Sequence, residues 1–135
     1  MALTVLDAGV VIAVIEQSDA HHDAAHRAVH AALTSGQRLV LPTAAYAEVL
    51  VKPSHAGVEA VSIVDEFIDA LPAIVEPITR PIAAAAARLR ARHGRALRLP
   101  DALVLATALS LGATEILTTD GGWPDVGVSV VVVRG

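Results

Sequence analysis

The sequence has no cysteine and very few aromatic residues, and both shortages restrict what the chain can be. Without cysteine it forms neither disulfides nor thiolate metal sites, a composition that fits a protein of the reducing cytosol. Because 54% of the residues are hydrophobic and only 2% are aromatic, the core has to consist of Val, Leu, Ile and Ala side chains. A chain of 135 residues with this composition predicts a single folded domain over residues 1–135.

Long apolar segments are absent as well. The longest stretch without a charged residue, from Ala102 to Thr114, is shorter than the roughly 18 apolar residues of a membrane-spanning helix. Arg27 is the first basic residue of the chain, so the basic region that opens a signal peptide is missing. We therefore expect a cytoplasmic protein with no membrane association.

The chain is acidic, with a formal net charge of −4, yet its basic residues are concentrated in one segment. Between Pro77 and Pro100 there is no Asp or Glu. Six of the ten basic residues lie in that segment: Arg80, Arg88, Arg90, Arg92, Arg95 and Arg98. Such an asymmetry guides a polyanion to one face of a protein while the rest of the surface repels it.

Hydrophobic periodicity predicts alternating strands and helices. Short apolar runs predict strands at residues 3–6, 38–41, 73–75, 115–118 and 129–133, and an apolar segment at 10–15 follows the first of them. Helical patterns cover residues 19–33, 58–71, 82–93 and 101–111, and another helix opens at Pro42 and Thr43 and carries Glu48. Apolar strands that alternate with helices indicate an α/β protein whose parallel sheet is covered on both faces.

Two carboxylates come just after predicted strands of this sheet. Asp7 directly follows the strand at residues 3–6, and Asp120 comes two residues after the strand at 115–118. Ligands of parallel α/β sheets bind beyond the carboxyl ends of the strands, which is where both acids would lie. The structural alternatives are that Asp7 caps the next helix and that Asp120 is an ordinary turn residue.

Two further acids belong to predicted helices. Glu48 is the only charge in the apolar segment 44–51, and a helix of that composition offers almost no solvent-facing surface, which favours a functional role over simple exposure. Asp101 follows Pro100 at the start of a helix. In that position an acid also complements the exposed amides and the helix dipole, so Asp101 by itself is weak evidence.

A metal ion explains the four acids together better than four separate structural roles do. Clustered carboxylates repel one another unless a cation lies between them, and Mg²⁺ and Mn²⁺ prefer oxygen ligands. A cation held in this way lowers the pKa of a bound water and stabilises charge on a phosphate under attack. The acids therefore predict metal-assisted hydrolysis of a phosphodiester.

Four segments that contain these acids resemble a known family. LDAGVVIA at residues 6–13, AEVL at 47–50, LPDALVLATA at 99–108 and LTTD at 117–120 are similar, in order and spacing, to the PIN domain. In length and order the chain most closely resembles the VapC-type ribonuclease toxins of bacterial type II toxin–antitoxin pairs. The resemblance covers essentially the whole chain.

This resemblance implies a fold, an activity and partners. The fold would be a Rossmann-like α/β/α sandwich with a central parallel sheet. The activity would be that of a Mg²⁺- or Mn²⁺-dependent endoribonuclease that cleaves structured RNA, such as tRNA or rRNA, by metal-activated water. The partners would be a second copy of the chain, forming a homodimer, and a small antitoxin protein whose C-terminal segment covers the site.

The resemblance also implies roles for particular residues. The metal-binding and catalytic acids would be Asp7, Glu48, Asp101 and Asp120, and the hydroxyl beside the last acid would be that of Thr119. The expected RNA- or antitoxin-binding residues are Arg88, Arg92, Arg95 and Arg98, of which the first three have helical spacing.

The sequence departs from the family pattern at two places, which keeps other functions open. Ala8 and Gly9 stand where many relatives have a hydroxyl or amide. Relatives often carry a further acid and an aromatic just after the last acid, whereas here Gly121 and Gly122 intervene before Trp123 and Asp125 is displaced. The main alternative is a non-catalytic PIN-fold module that binds RNA or an antitoxin-like partner. A phosphotransferase with an aspartyl-phosphate is a weaker alternative, because Gly9 occupies the position of its usual second acid.

Four histidines near residue 25 suggest a metal site at first sight. They are His21, His22, His26 and His30, and the last three share a helix face. His22 and His26 have the spacing of a zinc-protease helix, but Asp23 replaces the required Glu. We favour a solvated face near RNA, or a contact with a neighbouring helix, over a metal site.

Overall fold

The computed structural model describes residues 2–134 and contains a sheet of five parallel strands. The strands are β1 (Leu3–Leu6), β2 (Arg38–Pro42), β3 (Ile74–Glu76), β4 (Glu115–Thr118) and β5 (Ser129–Val132). The helices are α1 (Ala8–Ile15), α2 (His22–Thr34), α3 (Thr43–Ala56), α4 (Val58–Ala70), α5 (Arg80–His93) and α6 (Leu99–Leu111), with a 3-10 turn at Gly94–Ala96. These elements confirm the predicted α/β/α sandwich.

Burial explains why the central strands are mostly apolar. The strand order is β3-β2-β1-β4-β5, so β1 is central. Val5 and Leu6 of β1 and Ile116 and Leu117 of β4 expose at most 3% of their surface. Helix α6 contacts β1, β2 and β4, and α1 contacts β4. Strands enclosed between two helical layers need apolar side chains on both faces.

The element boundaries lie within a few residues of the predicted ones, and local hydrogen bonds of Thr79 and Asp19 account for two of the differences. The Thr79 hydroxyl accepts a hydrogen bond from the backbone N–H of Ile82, so α5 begins at Arg80 rather than at residue 82. The Asp19 carboxylate accepts one from the N–H of His21 and forms a turn, so α2 begins at His22 rather than at residue 19.

The core is built almost entirely from aliphatic side chains, as the composition predicts. Its largest fully buried members are Leu and Ile residues, among them Leu6, Leu41, Leu105 and Ile116. Tyr46, Phe67 and Trp123 are only partly buried and pack around this core. None of the helices within residues 2–134 is long and apolar enough to cross a membrane.

The strand order places a crevice beside β1. From β1 the chain proceeds to β2 on one side, and it later returns to β4 on the other side. Leu6 pairs with Leu117, and the backbone N–H of Asp7 donates a hydrogen bond of 3.0 Å to the carbonyl of Leu117. The carboxyl ends of β1 and β4 are thus neighbours at a topological switch point, where parallel sheets bind ligands.

Candidate active site

Asp7 is both a helix cap and a partly buried acid. Its Oδ1 accepts a hydrogen bond of 2.9 Å from the N–H of Ala8, which makes it the N-cap of α1, and its Oδ2 accepts one of 2.7 Å from the Thr118 hydroxyl. Burial raises the pKa of Asp7 from 3.8 to about 6, against the lowering effect of these two hydrogen bonds. The negative charges of Asp101 and Glu48 raise the pKa of Asp7 further.

Asp101 lies in the first turn of α6 and is the most buried of the four acids. Only 8% of the residue is exposed, although its place in a first turn suggests an ordinary surface acid. Burial raises the pKa of Asp101, the Arg98 guanidinium lowers it, and the field of Asp120 raises it. Arg98 Nε lies 3.6 Å from Asp101 Oδ2. The charge of Asp101 therefore acts on Asp7 and Glu48, and the charge of Asp120 acts on Asp101.

Glu48 is exposed, so the sequence argument about its helix is wrong. Helix α3 has a solvent-facing strip that includes Ala47, Glu48 and Lys52, and within its apolar segment only Ala45 and Val49 are buried. The segment is apolar because alanine tolerates exposure, rather than because the helix is enclosed. Partial burial and the field of Asp101 nevertheless raise the pKa of Glu48.

Asp120 is exposed and is held by its own loop. Its Oδ1 accepts a hydrogen bond of 2.8 Å from the N–H of Gly122, and its Oδ2 accepts one of 3.2 Å from the indole N–H of Trp123. The backbone N–H of Asp120 donates to the Thr118 hydroxyl at 3.1 Å. These hydrogen bonds hold the Asp120 side chain against Gly122 and Trp123 of the same loop.

Thr118 is a site residue that the sequence reasoning missed. Its hydroxyl bridges Asp7 and the backbone of Asp120, whereas Thr119, the predicted residue, lies beside α1. A Cβ atom added to Gly9 would overlap Thr119 Oγ1, so glycine at this position makes room for the threonine. Leu6 pairs with Leu117, so the residues that follow them, Asp7 and Thr118, are neighbours; this register belongs to the tertiary structure and is not visible in the sequence pattern.

The acids suit a hard divalent cation in chemistry, and they do not yet form a closed cage. All four contribute carboxylate oxygens, the donors that Mg²⁺ and Mn²⁺ prefer. Within residues 2–134, however, no three His, Asp or Glu side chains are placed to hold one ion as they stand. Side-chain movement, bridging waters or a substrate phosphate would have to complete the coordination, as is usual for Mg²⁺.

Comparison with known proteins identifies the family. A sequence model of the PIN domain matches residues 4–128. The chain belongs to the PIN domain family. No curated protein sequence matches it.

Solved structures share this PIN fold over nearly the whole chain. A toxin–antitoxin complex from Klebsiella pneumoniae has a TM-score of 0.76 at 19% identity, covering 97% of this chain and 98% of that chain. VapC20 of Mycobacterium tuberculosis, a toxin that cleaves the sarcin–ricin loop, has a TM-score of 0.75 at 20% identity, covering 98% and 99%. FitAcB from Neisseria gonorrhoeae has a TM-score of 0.72 at 19% identity, covering 95% and 96%. At these identities the likeness shows a common fold.

The four predicted arginines of this PIN domain are not equivalent. Arg98 ion-pairs with Asp101 and lowers the pKa of both Asp101 and Glu48. Arg88 and Arg92 are exposed on α5 and Arg95 is exposed in the following turn, and among the described residues none of these three forms an ion pair. Helix α5 packs against α6, so these charges lie on the element next to the one that carries Asp101.

Three of the four histidines, His22, His26 and His30, line a groove of about 500 Å³. Nδ1 of His22 lies 2.7 Å from the carbonyl oxygen of Ala13 in α1, so the expected contact with a neighbouring helix is present. His26 and His30 face the same groove as Phe67 and Leu71 of α4. No metal cluster involves these histidines among the described residues.

Proposed function

We propose that this PIN domain is a metal-dependent endoribonuclease and acts as the toxin of a type II toxin–antitoxin pair. The observation that carries the proposal is the group of carboxylates at the carboxyl ends of β1 and β4. The charges of Asp101 and Glu48 raise the pKa of Asp7, and the charge of Asp120 raises the pKa of Asp101. Like charges held this close are costly unless a cation or a proton offsets them.

In this proposal Mg²⁺ or Mn²⁺ is held by Asp7, Asp101 and Asp120, directly or through water. When bound, the cation lowers the pKa of water and stabilises charge on the phosphate. Thr118 orients the Asp7 carboxylate through its 2.7 Å hydrogen bond. Glu48 is exposed and has a raised pKa, so its carboxylate is suited to orient the attacking water and accept its proton.

Thr119 and the arginines would position the RNA. The Thr119 hydroxyl next to Gly9 would hold a water or a phosphate oxygen. Arg98 would turn from Asp101 to the phosphate that is cleaved, because its side chain is 70% exposed and free to move. Arg88, Arg92 and Arg95 would bind the RNA backbone, since phosphate contacts fix the position of a nucleic acid without reading its sequence.

The structural neighbours support a partner protein and a structured substrate. The Klebsiella pneumoniae structure is a toxin–antitoxin complex, and VapC20 is a toxin that cleaves the sarcin–ricin loop. We infer for this chain a cytoplasmic role on tRNA or rRNA, restrained by a small antitoxin. The groove between α2 and α4, lined by Phe67, Leu71 and the histidines, would receive an apolar antitoxin segment.

A homodimer is the second proposed assembly. Val51, Val58 and Ile63 on α3 and α4 are between 58% and 87% exposed, and apolar side chains exposed on adjacent helices favour a protein interface. Sedimentation of the wild type and of Val58→Ser tests this assembly. A dimer that is unchanged by the substitution would place the interface elsewhere, and a monomeric wild type would exclude the homodimer.

Mapping of RNA ends in cells that express the protein tests the activity. Wild type should create new ends at one or a few sites, and Asp7→Asn should create none, because the carboxylate that binds the cation is lost. Asp23→Asn, the same change at an exposed carboxylate on α2, is the control and should cleave like wild type. Identical end profiles with wild type and Asp7→Asn would reject the nuclease.

A non-catalytic binding module remains the second candidate. It is favoured by one observation, that no three acidic or histidine side chains among the described residues close around a single ion. In that case the protein would bind RNA or a partner protein and would cleave neither. Growth arrest by an Asp101→Ala protein that cleaves no RNA would support this candidate, and loss of both effects would support the enzyme.

A further inference from the structure

Trp123 connects the acidic site to a separate cavity. It is the only tryptophan of the chain, and its ring is neither fully buried nor fully exposed. The indole N–H donates to Asp120 at 3.2 Å and also faces Asp101, whose pKa it lowers. One edge of the ring is therefore held against the carboxylates where the proposed function places the cleaved phosphate.

The cavity lies on the loop that follows Asp120. It has a volume of about 480 Å³ and is lined by Trp123, Pro124, Asp125 and the residues that lead into β5, including Ser129. Oδ1 of Asp125 accepts a hydrogen bond of 3.0 Å from the N–H of Gly127, which shapes the loop and leaves the second carboxylate oxygen available. The volume is large enough for one small planar group.

The charge of the residues that line the cavity determines which part of an RNA would bind there. Among the described residues, the cavity is lined by one carboxylate and by no Lys or Arg, so it disfavours a phosphate. Trp123 and Pro124 offer flat apolar surfaces, and Asp125 and Ser129 offer hydrogen-bonding oxygens. An uncharged nucleobase with N–H donors on its edge matches this combination, because unpaired bases bind proteins by stacking on aromatic rings and by hydrogen bonds to their edges.

We propose that Trp123 and this cavity form a subsite for an unpaired nucleobase next to the cleaved phosphate. The inference rests on the proposed ribonuclease function and adds to it a binding site on this chain for the base beside the cleaved phosphate. The carboxylates, through the metal ion, and Arg98 would bind the phosphate, and Trp123 would stack on the adjacent base. The indole N–H would at the same time keep Asp120 in place.

The test uses the fluorescence of Trp123 in the full-length Asp7→Asn protein, which should bind RNA without cutting it. A short single-stranded oligoribonucleotide is titrated in the presence of Mg²⁺, beside an abasic oligomer with the same sugar–phosphate backbone. Bound fractions are measured independently by sedimentation. Stacking should change the emission at least about twofold more with the normal oligomer than with the abasic one at equal bound fraction. Equal changes, or no change up to saturation, would overturn the subsite.

A pair of variants separates stacking from the hydrogen bond to Asp120. Trp123→Phe and Trp123→Leu both lose the indole N–H, but only Phe keeps an aromatic face. Loss of the hydrogen bond to Asp120 should lower kcat equally in both variants. Loss of stacking should make the KM for RNA about fivefold or more higher in Trp123→Leu than in Trp123→Phe. Equal KM values would reject the subsite. The ribonuclease proposal fails separately, if Asp7→Asn cleaves RNA like wild type.

Discussion

The Thr118 hydroxyl donates a hydrogen bond of 2.7 Å to the Asp7 carboxylate across the junction of β1 and β4. The two residues are far apart in the sequence, and both are largely removed from solvent. The bond stabilises the charged form of Asp7 against the burial that raises its pKa to about 6. The Thr118 hydroxyl also accepts a hydrogen bond from the backbone N–H of Asp120. It is therefore bonded to both Asp7 and Asp120, the first and last acids of the site.

Removal of this hydroxyl should shift the pH dependence of cleavage. Thr118→Val deletes the bond that lowers the pKa of Asp7, so the acid limb of the pH–rate profile should move to higher pH and cleavage near pH 6 should fall most. Thr107→Val is the matched control, because Thr107 is also fully buried and its hydroxyl donates to the Leu103 carbonyl. Both variants should lose about 1 to 3 kcal/mol of stability. An unshifted profile for Thr118→Val would show that the bond does not tune Asp7.

Asp7→Asn should make the metal-free protein more stable at neutral pH. The pKa of Asp7 is raised from 3.8 to about 6 in the folded state, so the folded state binds this proton more tightly than the unfolded state does. The stability that the proton contributes is complete below pH 3.8 and is lost as the pH rises through about 6. The gain in stability of Asp7→Asn over the wild type should therefore grow between pH 3.8 and about 6. At higher pH it should reach roughly 2 to 3 kcal/mol. Urea unfolding with EDTA at several pH values measures it, and a constant difference between the variants would contradict the shift.

Arg98 should compete with the metal ion for the acids. It is the cation that lies 3.6 Å from Asp101 and lowers the pKa of Asp101 and Glu48. In Arg98→Gln at pH 8, Mn²⁺ should bind about twofold to fivefold more tightly by calorimetry, a modest effect because the guanidinium is exposed, while KM for RNA rises. Arg88→Gln, an exposed arginine of α5, should leave Mn²⁺ binding unchanged. Weaker Mn²⁺ binding to Arg98→Gln would assign Arg98 a supporting role instead.

Gly9→Ala should destabilise the protein through Thr119. The added methyl would overlap the Thr119 hydroxyl, and accommodation should cost about 1 to 3 kcal/mol, as overpacking does. Thr119→Ala removes the obstructing atom, so the double variant should recover most of the loss. Thermal or urea unfolding of the two single variants and the double variant measures the coupling. Additive effects would show that the two side chains are independent.

The sequence determined the fold class and the position of two acids, because those properties depend on local patterns. Apolar strands alternating with amphipathic helices specify a parallel sheet between helical layers, and residues that follow parallel strands collect at one edge of it. Asp7 and Asp120 could therefore be placed near each other from their positions after β1 and β4. The roles of Arg88, Arg92 and Arg95 remain predictions.

Only the tertiary structure decided how deeply each acid is buried and which groups it contacts. Glu48 looked enclosed and is exposed, whereas Asp101, whose place at a helix start was weak evidence by itself, is only 8% exposed. Burial depends on which face of a helix meets the rest of the protein, and the composition of a short helix does not specify that face. Thr118 and Trp123 became site residues through strand register and the path of a loop. Such contacts join residues that are distant in sequence or separated by a turn, and packing alone brings them together.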